Sequence, residues 1–198
     1  MKILLSSNKE IIKEYIKVNS KVGFIPTASE LDNDRWYMEK DKQDLTKMKF
    51  EIVNIDISND SKEEILDKFN NVDSIYVAGG NSFYLLQQLK IKNVLKELID
   101  FTNNKIYVGS SAGACIACPS IDYVEKLDDK SQAPLLNNCD AMHLVNFYIL
   151  PHYNSKEKYT KLADEIEKDY DNYKFIKLSN EQAIIVDNTN NYKVIETK

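Results

Sequence analysis

Glycine is scarce in this chain of 198 residues, which has five in all, beside four prolines, three cysteines, two histidines and one tryptophan. Each scarcity closes off a class of protein. Three cysteines, an odd number, cannot make the disulfide framework of a small secreted domain. Cys115 and Cys118 form one C-x-x-C with no second cysteine pair to complete a metal site, and they read as small buried residues on a helix packed against a sheet. Cys139 stands alone. The opening residues 1–7 are too short an apolar run for a secretory leader or a membrane span, so the expectation is a cytoplasmic protein with no membrane partner. Lysines and acids are interspersed around a formal net charge of −5, which leaves no basic face for a nucleic acid.

What is present is ordinary for a soluble globular protein, with 43% hydrophobic and 29% charged residues. The length lies near the upper end of one compact domain. No repeat, low-complexity segment or linker interrupts it, and residues 1–198 read as a single domain. Short β-branched or aromatic runs alternate with longer amphipathic stretches, the signature of βαβ units around a mainly parallel sheet. Strands are predicted at 2–7, 22–26, 50–57, 74–78 and 106–108. Helices are predicted at 9–18, on the face Ile11, Ile12, Tyr15, Ile16, then at 34–49, at a segment opened by Ser61 with Glu64 three residues on, at 83–89 and at 94–101. The fold class this implies is α/β, a three-layer α/β/α sandwich. The charged segment 34–49 should cover a sheet edge or hang over a site. Periodicity weakens over 119–146, a long irregular connection of the kind that often carries function. A strand at 147–150, a surface helix at 157–170 and short closing strands at 175–176, 183–186 and 192–195 complete the chain, with residues 187–191 as a polar hairpin turn.

Four of the five glycines follow two of the apolar strands. Gly79 and Gly80 end Ile75-Tyr76-Val77-Ala78, and Gly109 and Gly113 bracket Ser111 after Ile106-Tyr107-Val108. Gly/Ser/Ala turns also end many buried strands, but a glycine-poor chain that concentrates its glycines at two strand ends is marking a place where backbones pass closely. Gly109-Ser110-Ser111-Ala112-Gly113 reads as a nucleophile elbow, which lifts the serine hydroxyl clear of the sheet and aims the first amides of the next helix at developing negative charge. Ser111 is the candidate nucleophile. The amides of Ala112 and Gly80 are the candidate oxyanion hole, and Asn81, beside them, is a candidate substrate-binding residue. The glycine turn lacks the G-x-G-x-x-G spacing and the basic partner expected of a phosphate cradle.

A serine nucleophile needs a base, and His152 is the better placed of the two histidines. It follows an apolar strand and Pro151, which should hold it at the rim of the parallel sheet where the elbow emerges. His143 lies in an irregular stretch and reads as structural. The acid that orients the imidazole is expected between Ser111 and His152, where Asp122, Glu125, Asp128 and Asp129 all qualify.

The ordered motifs Ala78-Gly79-Gly80-Asn81-Ser82-Phe83-Tyr84-Leu85-Leu86, Gly109-Ser110-Ser111-Ala112-Gly113-Ala114 and Leu150-Pro151-His152-Tyr153 make the chain similar to the peptidase E family of serine peptidases, which includes aspartyl dipeptidases and is related to cyanophycinases. The resemblance covers nearly the whole chain. It implies a fold like that of class I glutamine amidotransferases, with serine in place of their elbow cysteine, and cofactor-free hydrolysis of short peptides. Ser111 and His152 carry over directly; Asp128 is the best match to the family acid, with Glu125 as the alternate. An amino-terminal aspartate is the substrate feature the resemblance implies, yet Arg35 is the one arginine available to grip its carboxylate and it lies in a solvated, charged segment. An esterase or amidase on the same triad, and a catalytically silent sensor or interaction protein of the same fold, are the rival readings. A homo-oligomer is compatible with the sequence, which does not display the surfaces that would form it.

Overall fold

A computed structural model describes residues 2–6, 12, 14–187, 189 and 191–196. Its centre is a seven-stranded sheet in the order β3-β2-β4-β5-β1-β8-β9. Five strands run parallel: β1 (Lys2–Ser6), β2 (Lys21–Ile25), β3 (Glu51–Asn54), β4 (Ser74–Val77) and β5 (Ile106–Ser110). The hairpin β8 (Gln182–Val186) and β9 (Tyr192–Glu196) adds two antiparallel strands at the β1 edge. The hairpin turn is closed by Asp187, whose carboxylate accepts from the amides of Thr189 and Asn191; Asn188 and Asn190 lie outside the described residues.

Strand side chains alternate between two cores, as the period of two requires. Ile3, Leu5, Ile75, Val77, Tyr107 and Ile184 face one side. There they meet α2 (Lys62–Asn70), α3 (Ser82–Ile91), α4 (Leu95–Phe101) and α6 (Glu157–Asp169) through Ile65, Phe83, Leu98 and Ile166. Leu4, Val22, Phe24, Tyr76 and Val108 face the other side, covered by α1 (Trp36–Lys47) through Met38 and Leu45. Helices on both faces of a mainly parallel sheet make the α/β sandwich that the sequence predicts. Of the helix expected over 9–18, residues 9–11 and 13 lie outside the described residues, and the six described ones form no α-helix. Its described part is a turn in which Ile12 O accepts from the amides of Tyr15 and Ile16, with Ile12 and Ile16 buried in the second core. Among the described residues no helix is long and apolar enough to cross a membrane.

Local chemistry sets the element ends. Ser61 and Glu64 form the reciprocal capping box that opens α2, with bonds of 3.2 and 2.8 Å. The strand expected to continue to residue 57 stops at Asn54, because Asp56 draws the amides of Ser58 and Asn59 onto its own carboxylate and turns the chain. The irregular connection contains 3₁₀ turns at Asp122–Lys126 and Lys130–Gln132 and one isolated antiparallel bridge between Ser120 and Asp140.

One expectation is corrected. The strand leading to His152, β6 (Tyr148–Pro151), does not join the main sheet; it pairs in parallel with β7 (Phe175–Leu178) as a separate two-stranded sheet. The pair packs through aromatic side chains, with Tyr148 stacked on Tyr173 at 3.9 Å and Tyr123 edge-on to Tyr148 and Phe175. That satellite sheet brings the ends of both its strands to the elbow.

Candidate active site

β5 ends at Ser110, and the chain turns at Ser111 into the short helix α5 (Ala112–Cys115). The turn depends on two missing side chains. A Cβ on Gly109 would lie 2.4 Å from the Gly113 carbonyl oxygen, and one on Gly113 would lie 2.4 Å from that of Val77, so the helix can press against β4 and β5 only if both residues are glycine. The buried Tyr107 hydroxyl donates to the Gly113 carbonyl at 2.7 Å and fixes the helix there. Ser111 takes φ 50° and ψ −107°, a backbone conformation that L-residues rarely adopt. Its amide is anchored to Ser6 O at 3.1 Å, and its own carbonyl accepts from Ala114 and Cys115 at 2.8 and 3.0 Å.

His152 follows Pro151 at the end of β6 and also holds a positive φ, of 62°. Its carbonyl accepts from the Ser155 hydroxyl at 2.6 Å, and the next amide, that of Tyr153, continues the ladder to Leu178 O at 3.1 Å. The ring Nε2 stands 2.9 Å from Ser111 Oγ and Nδ1 stands 2.8 Å from Asn180 Oδ1. Asn180 lies two residues past β7, so the parallel pairing of β6 and β7 sets histidine and asparagine side by side. An amide oxygen facing Nδ1 suits the tautomer that carries its proton there, which leaves the Nε2 lone pair towards the serine hydroxyl as a general base requires.

None of the carboxylates expected to orient the imidazole bonds to it, and only Asp128 stands in the cleft, where its charge interacts with His152. Glu125 is exposed and pairs with Lys130 on the surface. Asp122 accepts from the Tyr173 hydroxyl at 2.9 Å, and Asp129 caps the turn at Ser131. Asp128 does reach the cleft, but its carboxylate accepts from the Ser82 amide at 2.8 Å, at the start of α3, while Asn180 occupies the Nδ1 position. Burial pushes the Asp128 carboxyl above the usual range, against the hydrogen bonds from Ser82 that pull it down. Asn81 is also corrected as a substrate contact. It is buried as the cap of α3, accepting from Tyr84 N at 2.9 Å and donating to Asp129 O and Gln132 Oε1 at 2.8 and 2.9 Å. Its work is to pin the connection that carries Asp128. His143 is exposed and bonded to Asn146 at 3.0 Å, outside the cleft.

The Gly79-Gly80 turn runs beside the serine. A Cβ on Gly79 would lie 3.2 Å from that of Ser111, and one on Gly80, at φ 136°, would collide with the Ala28 carbonyl oxygen at 2.2 Å. Gly80 and Ala112 both line the cleft, and among the described residues neither amide has a protein acceptor. The cleft encloses about 480 Å³, the scale of a small-ligand pocket rather than a groove for a folded chain. Cys115 forms part of its floor; with Cys118 it is fully buried, and desolvation raises both thiols, Cys118 to about 12, so neither is poised as a nucleophile.

The segment 34–49 does overhang the cleft, through Trp36, Tyr37 and Asp41. The buried Tyr76 hydroxyl, in β4, donates to Asp41 Oδ2 at 2.6 Å and ties α1 in place. The guanidinium of Arg35 turns away to bond the Glu30 carbonyl. Across the opening, Lys156 and Tyr159 come from the start of α6, with the Tyr159 ring 5.7 Å from that of His152. Among the described residues no group of three His, Cys, Asp or Glu side chains is placed to hold a metal.

A serine held in a strained elbow against a histidine, at a strand end of an α/β sandwich, defines a serine-type hydrolase. The chain belongs to Peptidase family S51, whose model matches residues 2–194. It is similar to an uncharacterized peptidase of Listeria innocua, with 37% identity over 92% of this chain and 90% of that one. A peptidase E of Nostoc is 27% identical over 77% of this chain and 65% of the relative. The crystal structure of a "Putative Peptidase E Protein" from Listeria monocytogenes EGD-e superposes with a TM-score of 0.90 at 33% identity, covering 100% of this chain and 98% of that one. This protein is accordingly a serine-type peptidase, close in fold and sequence to peptidase E.

Proposed function

We propose that the protein hydrolyses short peptides through Ser111 and His152, with Asn180 as the residue that orients the imidazole. The observation that carries this reading is the 2.9 Å approach of Ser111 Oγ to His152 Nε2, made by two residues that both hold positive φ. Strain at both partners of one hydrogen bond is what a site built for geometry would keep. His152 takes the hydroxyl proton as Ser111 Oγ attacks the peptide carbonyl, and the amides of Gly80 and Ala112 receive the oxyanion, each such donor being worth about 3–4 kcal/mol. The imidazolium then protonates the leaving amine, the C–N bond breaks, and water releases the acyl group by the same route.

A preference for amino-terminal aspartate is the finer part of the proposal. Arg35 does not serve it, since its guanidinium is spent on Glu30. Among the described residues Lys156 is the lysine that lines the cleft, and it is the group to grip a substrate carboxylate. The test is hydrolysis of Asp-Leu, Glu-Leu, Ala-Leu and Asn-Leu by the protein and by Ser111→Ala, with fluorophosphonate labelling of both. Labelling and turnover that vanish together in the variant support the assignment; turnover that survives overturns it.

A further inference from the structure

Of the large apolar side chains exposed among the described residues, Trp36 is the one that lines the cleft; others, such as Val18 and Leu135, lie elsewhere on the surface. Its indole is 64% exposed, with Tyr37 edge-on to it at 6.2 Å. The mount beneath it is firm. The Trp36 amide donates to Asp34 Oδ1 at 3.2 Å, the Tyr37 hydroxyl donates to Asp32, and Met38 and Leu45 sink α1 into the second core. A lone aromatic on open surface needs no explanation, whereas one fixed over the cleft of the nucleophile is a preformed apolar platform that stays hydrated until a ligand covers it.

The rim across the opening is of different chemistry, with the charged Lys156 beside a Tyr159 ring that lies against His152. An extended peptide sends successive side chains to opposite sides, with about 3.8 Å between their Cα atoms. When the side chain before the scissile bond is drawn to Lys156, the one after it points to the α1 rim. We propose that Trp36 forms the subsite for the leaving residue, and that the preferred substrates carry a large apolar residue, aliphatic or aromatic, after the scissile bond. This rests on Ser111 as the nucleophile and on Lys156 as the grip for the preceding side chain. Trp36 is then a specificity-determining residue that acts in acylation, while the leaving residue is present, and has no part in the release of the acyl group by water.

The experiment compares kcat/KM for Asp-Gly, Asp-Leu and Asp-Phe, and for Ala-Gly, Ala-Leu and Ala-Phe, in the native protein, Trp36→Phe and Trp36→Ala, with fluorophosphonate labelling of each. Beside it, the emission of Trp36, the one tryptophan of the chain, is followed as Asp-Leu or Asp-Gly is titrated into Ser111→Ala. The native protein should favour leucine and phenylalanine over glycine after the scissile bond by about tenfold or more, the scale of covering such a side chain. Trp36→Ala should cut that preference below threefold and leave the glycine peptides within about twofold of native, while Trp36→Phe keeps most of it. Asp-Leu should move the emission to shorter wavelength, and Asp-Gly should move it less. A native preference below threefold, an equal loss on all peptides in Trp36→Ala, a loss that follows the residue before the bond, or emission that ignores Asp-Leu would each overturn the subsite. Any of these with normal labelling removes only the role of Trp36. A native protein that neither labels nor turns over removes the nucleophile and the subsite with it.

Discussion

Replacing Asn180 is the most revealing perturbation of the proposed site, because the residue does half of what a triad acid does. Its amide oxygen, 2.8 Å from His152 Nδ1, can select the tautomer but brings no charge to steady the imidazolium. An amide also carries a donor, so it selects the productive tautomer only with its oxygen inward, which Asn180→Asp would remove as an ambiguity. Two unit charges about 4 Å apart interact by about 1 kcal/mol in water and about 4 kcal/mol at an effective dielectric of ~20. Asn180 is exposed, so the lower part of that range applies. About 1–2 kcal/mol moves the acid limb of the pH profile up by about one unit and raises kcat above that limb by about tenfold. Asn180→Ala, which frees the ring to turn, should lower kcat by about 10–100-fold with KM little changed. The assay is kcat and kcat/KM from pH 5 to 10 on a cleaved dipeptide. An alanine variant within twofold of the native protein, or an aspartate variant with an unmoved acid limb, would refute the role given to Asn180.

Other expectations follow from the same contacts. Gly113→Ala places a methyl 2.4 Å from the Val77 carbonyl oxygen and should cost about 2 kcal/mol or more, a fall of several degrees in Tm, with loss of activity; an unchanged melt would show that the elbow has room to spare. Tyr76→Phe removes the donor that ties α1 over the cleft through Asp41, at about 1–3 kcal/mol, and should raise KM more than it lowers kcat. Burial holds the folded Asp128 carboxyl above its unfolded value, so folding takes up a proton. Its contribution is complete below about pH 4 and is lost as pH rises through the raised folded value. Asp128→Asn should therefore melt with the native protein at pH 3.5 and above it at pH 7; the opposite order would sink the assignment of burial as the dominant cause.

The elbow and the sheet were legible because their signals are local. Gly109, Ser111 and Gly113 stand where an apolar strand ends, and the alternation in β4 and β5 can be counted along the chain. The partner of His152 was not legible, because it arrives from a second strand. Nothing around Asn180 marks it beyond a short apolar run, and only the parallel register of β6 with β7 puts it beside the imidazole. The separation of β6 from the main sheet was hidden for a similar reason, since an apolar strand reads alike whichever sheet it joins. Acids were the reverse case. Residues 122–129 offered four carboxylates at suitable spacing, and their fates were decided by Tyr173, Lys130, Ser131 and Ser82, contacts of which two lie far along the chain. Asn81 looked like a ligand-facing polar residue because a helix cap and a binding group share the same chemistry.

The satellite pair of strands has a consequence for how such a site can change over time. The nucleophile is set in the crowded centre of the molecule, where Gly109 and Gly113 tolerate no added atom, whereas the residue behind the histidine sits at the solvent end of a peripheral ribbon with its side chain in the open. Exchange there disturbs no packing. The power of the base can thus be dialled by a single codon, from an amide to a carboxylate and back, at little expense to folding, while the elbow stays fixed as the part of the machine that drift cannot touch.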